Sequence, residues 1–119
     1  MKNTAISLLL FCLLVAGTSH AAAPAAPSRP RLVDLGAEKC IPCKLMAPVL
    51  AELAKDYAGQ LDVVFIDVWK TPAEGPRYGI RVIPTQIFYD ASGKERFCRE
   101  GFFANNVVLA KWGQLAVNL

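Results

Sequence analysis

From residue 41 onward the apolar positions fall at helical spacing. Met46, Val49, Leu50, Leu53 and Tyr57 lie three and four apart and share one face. Pro48 sits inside this run and removes one backbone hydrogen bond, which predicts a kink rather than an end. Gly59 is a suitable stop. Ahead of the helix, residues 31–35 are short and β-compatible, and Gly36 ends them. After it, residues 61–66 form a nearly continuous apolar run, the pattern of a buried parallel strand. Residues 69–78 hold Pro72, Gly75 and Pro76, so a loop with at most a short helix is expected. Residues 85–89 form another strand, opened by Pro84, and residues 90–93 a turn. Residues 94–100 make a polar strand suited to a sheet edge. Asn105 or Asn106 can cap a last helix reaching Val117, with Val108, Trp112 and Leu115 on one face. Two strands joined by a helix make a parallel right-handed unit. The last two strands, joined by a tight turn, are antiparallel. The pattern predicts an α/β domain with a mixed four-stranded sheet and flanking helices.

The N-terminal pattern is different. Lys2 is followed by an apolar run over residues 5–17, then by Thr18-Ser19-His20-Ala21. This is the layout of a secretory signal peptide, with cleavage expected after Ala21, or after Ala22 or Ala23. The run is shorter than the ~18 residues of a membrane span. An uncleaved anchor is the alternative. Cys12 follows bulky Phe11, which is unsuited to lipid attachment, so it is a small hydrophobe removed with the signal. Residues 22–30 contain Pro24, Pro27 and Pro30 and form an Ala/Pro-rich leader. The domain is then residues 31–119, exported, with the periplasm as the expected compartment.

Composition narrows the chemistry. The formal charge is +3 and the basic residues are scattered, so nucleic acid is not an expected partner. Cleavage would remove His20, the one histidine, and with it histidine-based catalysis and metal ligation. Cys40, Cys43 and Cys98 would remain in a compartment where disulfides persist. One thiol of the three is left over. Cys98 shares a strand face with Arg96 and Glu100, and Phe97 points the other way. An inert, half-buried Cys98 is expected, with a regulatory or intermolecular thiol as the alternative.

Cys40-Ile41-Pro42-Cys43 has three readings. It could ligate a metal, but zinc needs four ligands and the mature chain offers three cysteines, so no metal is expected. It could be a structural disulfide. It could also cycle between dithiol and disulfide. The position favours cycling: a strand runs into a helix, with Cys40 at the helix start, where free N–H groups stabilise a thiolate. Lys39 and Lys44 add positive charge, and Pro42 suits a first helical turn. Cys40 is then the attacking thiol and Cys43, one turn in, the resolving thiol.

Val33-Asp34-Leu35, followed by residues 37–48 with the Cys40–Cys43 pair, resembles the active-site segment of the thioredoxin family. Residues 78–85, Tyr-Gly-Ile-Arg-Val-Ile-Pro-Thr, resemble that family's cis-proline segment. The resemblance runs from about Val33 to the C-terminus. It implies a thioredoxin-like fold lacking the extra N-terminal strand and helix, a nucleophile at Cys40 and a redox-active disulfide with Cys43. It further implies a proton-exchanging buried acid at Asp34, a cis-proline at Pro84, and substrate-chain pairing at the backbone of Ile83. Lys39 stands where the family usually has Trp, Ile41 where it has Gly, and Phe65 where it often has Lys. Ile41 and Pro42 would form the rim seen by substrates, Lys39 would tune the Cys40 thiolate, and Asp34 would lack a cation.

The resulting expectation is a monomeric protein-disulfide oxidoreductase acting on exported proteins, with reduction favoured over net oxidation or isomerisation. No cofactor is expected. A membrane or soluble redox partner would reset the pair. A binding module with a permanent disulfide is the rival class.

Overall fold

The computed structural model describes residues 29–119. The proposed signal peptide and nearly all of the leader lie outside the described residues. Strand β1 (Arg31–Gly36) leads into helix α1 (Ile41–Asp56), then β2 (Asp62–Asp67), the short helix α2 (Glu74–Tyr78), β3 (Thr85–Tyr89), β4 (Glu95–Glu100) and α3 (Asn105–Gln114). The sheet order is β2-β1-β3-β4, with β1 parallel to β2 and antiparallel to β3. β3 and β4 are antiparallel. Among the described residues this is the mixed four-stranded sheet with flanking helices that the sequence predicts.

Strand alternation divides the core into two. Leu32 and Phe88 point to one face, where Met46, Val49, Leu50 and Leu53 of α1 and Val108 and Trp112 of α3 complete an apolar cluster. Phe88 anchors it, with the Trp112 ring 4.6 Å and the Phe97 ring 5.5 Å away, centroid to centroid. Val33, Leu35 and Ile87 form the opposite layer, with Tyr78 and Ile80 packed on it. The helical face read from the sequence is the buried face of α1, and Pro48 lies within the helix.

Four expectations need correction. The strand expected over residues 61–66 is not fully buried: β2 is half-buried, with Phe65 exposed. It is an outer strand of the described sheet, so only Leu61, just ahead of it, is fully buried, while Val63, Val64 and Ile66 pack on the core half-buried. Neither Asn105 nor Asn106 caps the last helix. Ala104 occupies the cap position in an extended conformation, without a side-chain bond, and Asn105 is already helical. The helix also stops at Gln114, short of Val117, and Ala116 adopts a positive φ of 56°. Cys98, expected to be half-buried, is exposed on the outermost strand β4 of the described sheet, whereas Phe97 is the partly buried neighbour packed on the core, as expected.

Leu53 is fully buried at the centre of the larger cluster. Leu53→Ala is expected to destabilise the domain by about 3 kcal/mol through lost burial and the cavity left behind. Urea unfolding of both proteins checks this, with an unchanged m-value.

Candidate functional site

The chain from β1 to α1 turns over residues 37–40, and Cys40 N–H donates to the Ala37 carbonyl at 3.2 Å. Cys40 is the N-cap of α1, in an extended conformation, and Pro42 lies in the first turn. The Cys40 and Cys43 sulfurs are joined as a disulfide, with Cα atoms 5.2 Å apart. Cys43 N–H points at Cys40 Sγ, 3.4 Å away, so a free helix N–H is aimed at the sulfur. Both cysteines are buried, with Ala37 beneath them and Ile83 packed alongside. Ile41, 70 % exposed, and Pro42 stand out from the pair, flanked by exposed Lys39 and Lys44.

The Ile83–Pro84 bond is cis. Its segment is pinned on both sides: Thr85 Oγ1 donates to the Val82 carbonyl at 2.7 Å, and Gly101 N–H donates to the Pro84 carbonyl at 2.8 Å. Gly101 has φ 87°, a left-handed conformation that suits glycine. The main chain of Ile83 is therefore held beside the disulfide.

Gly36 lies at a close approach. A Cβ there would lie 3.1 Å from the Phe65 ring and 3.3 Å from both Cβ and Sγ of Cys43. The end of β1 is thus the floor on which Cys43 rests. A groove of about 360 Å³ opens beside it, lined by Ala37, Cys43, Ala47, Leu50 and Phe65.

Asp34 precedes Gly36 by one strand repeat and points to the same face of the sheet. It is fully buried, and Gln86 Nε2 donates to its Oδ1 at 2.7 Å. Burial raises its pKa from 3.8 to about 6, and the Gln86 hydrogen bond pulls the other way. Phe65, paired with Asp34 across β1 and β2, offers no charge.

Two contributors are not signalled by the motifs. Gln86 is one. Asp67 is the other: its Oδ2 accepts the Glu38 N–H at 3.0 Å, and its Oδ1 accepts Trp69 N–H and Lys70 N–H at 2.9 and 3.1 Å. Lys70 pairs with Glu38. Asp67 therefore ties the loop before Cys40 to the loop after β2, and the Glu38 N–H foremost holds its carboxyl below the usual range. Cys98 lies apart from the site on β4, its thiol pushed up by burial and by Glu95 and Glu100, which disfavours a reactive thiolate.

The thioredoxin family model matches residues 13–110. The chain belongs to the thioredoxin family. It is 44 % identical over 68 residues to a thioredoxin of Acidithiobacillus ferridurans, covering 57 % of this chain and 63 % of that one. It is 47 % identical over 60 residues to a thioredoxin of Pseudomonas aeruginosa, covering 50 % and 56 %. The chain therefore spans somewhat over half the length of these curated relatives. Among solved structures it resembles chloroplastic thioredoxin z, with TM-score 0.68, 30 % identity, and 75 % of this chain and 80 % of that chain covered. That structure's title speaks of type-specific target recognition by thioredoxin z.

Two outcomes follow from this geometry. Gly36→Ala is expected to cost about 1–3 kcal/mol, since the Cys43 side chain and the Phe65 ring must each give way by a few tenths of an ångström; chemical denaturation of the oxidised protein measures it. Asp34 binds its proton more tightly folded than unfolded. Its contribution to stability is therefore lost as pH rises from 3.8 through about 6. Asp34→Asn removes this penalty, so it should be more stable than wild type at pH 7 by at most about 3 kcal/mol, with no such gain at pH 3. Denaturation midpoints at the two pH values give the comparison.

Proposed function

We propose that this protein is an exported protein-disulfide reductase that works through Cys40 and Cys43. The observation that carries the reading is the Cys40–Cys43 disulfide at the N-terminus of α1, beside the Ile83–Pro84 segment. In the reduced protein, the helix N–H groups and Lys39 would favour the Cys40 thiolate. Cys40 attacks one sulfur of a substrate disulfide and forms a mixed disulfide. The other substrate sulfur leaves as a thiolate and takes a proton from water. Asp34, as carboxylate, then accepts the Cys43 proton. The Cys43 thiolate attacks Cys40 Sγ, breaks the bond to substrate, and releases the second thiolate, which Asp34 or water protonates. The substrate gains two electrons and two protons, and the protein is left as the disulfide.

The main chain of Ile83 would pair with an extended substrate segment, and Ile41 and Pro42 would touch its side chains. The leading apolar run over residues 5–17 supports export, with exported proteins as substrates and a membrane or soluble redox partner to restore the dithiol. Reduction is preferred because the acid at Asp34 and the Cys40-Ile41-Pro42-Cys43 pattern resemble those of reducing thioredoxins. A reduction potential near that of thioredoxin, about −270 mV, fits this direction, whereas one near −120 mV fits net oxidation.

Cys40→Ser should abolish reduction of a model protein disulfide. Cys43→Ser should stop after the first step and accumulate mixed disulfides that dithiothreitol dissolves on non-reducing gels. Adducts formed only through Cys98, or a wild-type pair that resists mild dithiols, would rule out the mechanism in favour of a permanent disulfide.

A further inference from the structure

The strand register lays one row of side chains across the sheet, on the face toward α1: Phe65, Asp34, Gln86 and Arg99. The two inner members are fully buried. Their one hydrogen bond joins Gln86 Nε2 to Asp34 Oδ1 at 2.7 Å. Among the described residues, the second oxygen of each, Asp34 Oδ2 and Gln86 Oε1, is buried without a partner. Two orphaned acceptors on one bonded pair are costly unless something supplies a hydrogen. A single proton on Asp34 Oδ2 supplies one: the oxygen becomes a donor, and the amide oxygen of Gln86, whose nitrogen already bonds Asp34, is an acceptor.

We propose that Gln86 is the positioning residue for Asp34, an amide that pairs with the carboxyl in both of its protonation states and makes Oδ2 the atom that carries the exchanged proton. The protonated acid and the amide form a two-bond pair, Oδ2–H to Oε1 and Nε2–H to Oδ1. Loss of the proton leaves the Nε2–H bond, which is then charge-assisted and stronger. A lysine would favour only the carboxylate, and an apolar residue would hold neither form. The inference rests on the reductase reading, in which Asp34 takes the Cys43 proton.

The surrounding charges leave this role to Gln86. Phe65 faces Asp34 from β2 and is uncharged. Arg99 faces Gln86 from β4, but its guanidinium lies over the Phe103 ring, 5.3 Å from the centroid. From α1, Cys43 is the titratable group on this side when reduced, with Lys44 and Glu38 at the groove beside it. The Gln86 amide is the one side-chain hydrogen bond that Asp34 receives among the described residues.

The test uses Gln86→Leu and the nearly isosteric Gln86→Met in the full chain. Carbon-13 NMR follows the Asp34 carboxyl titration in the oxidised proteins, with Asp34→Asn to assign the signal. Losing the amide takes a charge-assisted bond from the carboxylate, which costs it more than the neutral acid loses, so the midpoint should rise by ~1 pH unit. Single-turnover resolution of a model mixed disulfide should then slow roughly fivefold at pH 6 and roughly twofold at pH 7, the difference narrowing toward pH 9. A merely structural glutamine would change the unfolding midpoint and leave both pH profiles in place. An unmoved carboxyl midpoint in either folded variant overturns the pairing, and a moved midpoint with an unmoved rate profile overturns its part in the reaction. Failure of the wild-type chain to reduce any disulfide would sink the reductase reading alone, because the NMR titration still decides what Gln86 does to Asp34.

Discussion

Helix α1 sits close to the end of β1 at a residue without a side chain. A Cβ at Gly36 would press on Cys43 at 3.3 Å and on the Phe65 ring at 3.1 Å, tighter than side chains ordinarily pack. That contact fixes how far the first turn of α1 sits above the sheet. It places the Cys40 cap beside Ile83, and it aligns Asp34, one strand repeat earlier, on the side of the sheet that carries Cys43. The Asp67 carboxylate holds the same corner from the outside, by gathering N–H groups from the loops before Cys40 and after β2. The Ile83 segment, the disulfide and the buried acid are thus referenced to a single joint between strand and helix.

The interior then departs from an apolar core in one rung. Leu32 and Phe88 fill the row before it, and Asp34 and Gln86 occupy the next. Two buried polar side chains in that position cost stability that leucines would not. The expense is confined to one cross-strand pair, and the large Phe88–Trp112 cluster beside it carries the packing. Natural folds tend to break local consistency at functional sites, and this rung has that character.

The periodic elements were legible because they are local. The buried face of α1, the helix start at Cys40 and the tight turn between β3 and β4 all follow from spacing and turn residues. Misreadings arose where the answer depends on neighbours. An apolar run cannot say whether it lies inside a sheet or at its border, so β2 read as more buried than it is. The asparagines that open α3 are good caps in isolation, yet the cap position falls one residue earlier, at Ala104. Gln86 carried a weak signal: it is a polar residue at an inward position of strand β3, as Asp34 is in β1. Only the register shows that the two stand opposite each other. Asp67 was hidden for the same reason, since its partner Glu38 is 29 residues away.

The bridge between Cys40 and Cys43 spans a sequence separation of three. A crosslink stabilises a fold chiefly by restricting the unfolded chain, and the effect grows with the loop it closes. A loop this small restricts little, about 2 kcal/mol against about 4.7 kcal/mol for a loop of 100 residues. Helix α1 already holds the two residues one turn apart, so breaking the bond frees almost no chain. Making or breaking this bond is therefore nearly decoupled from the conformational entropy of the chain.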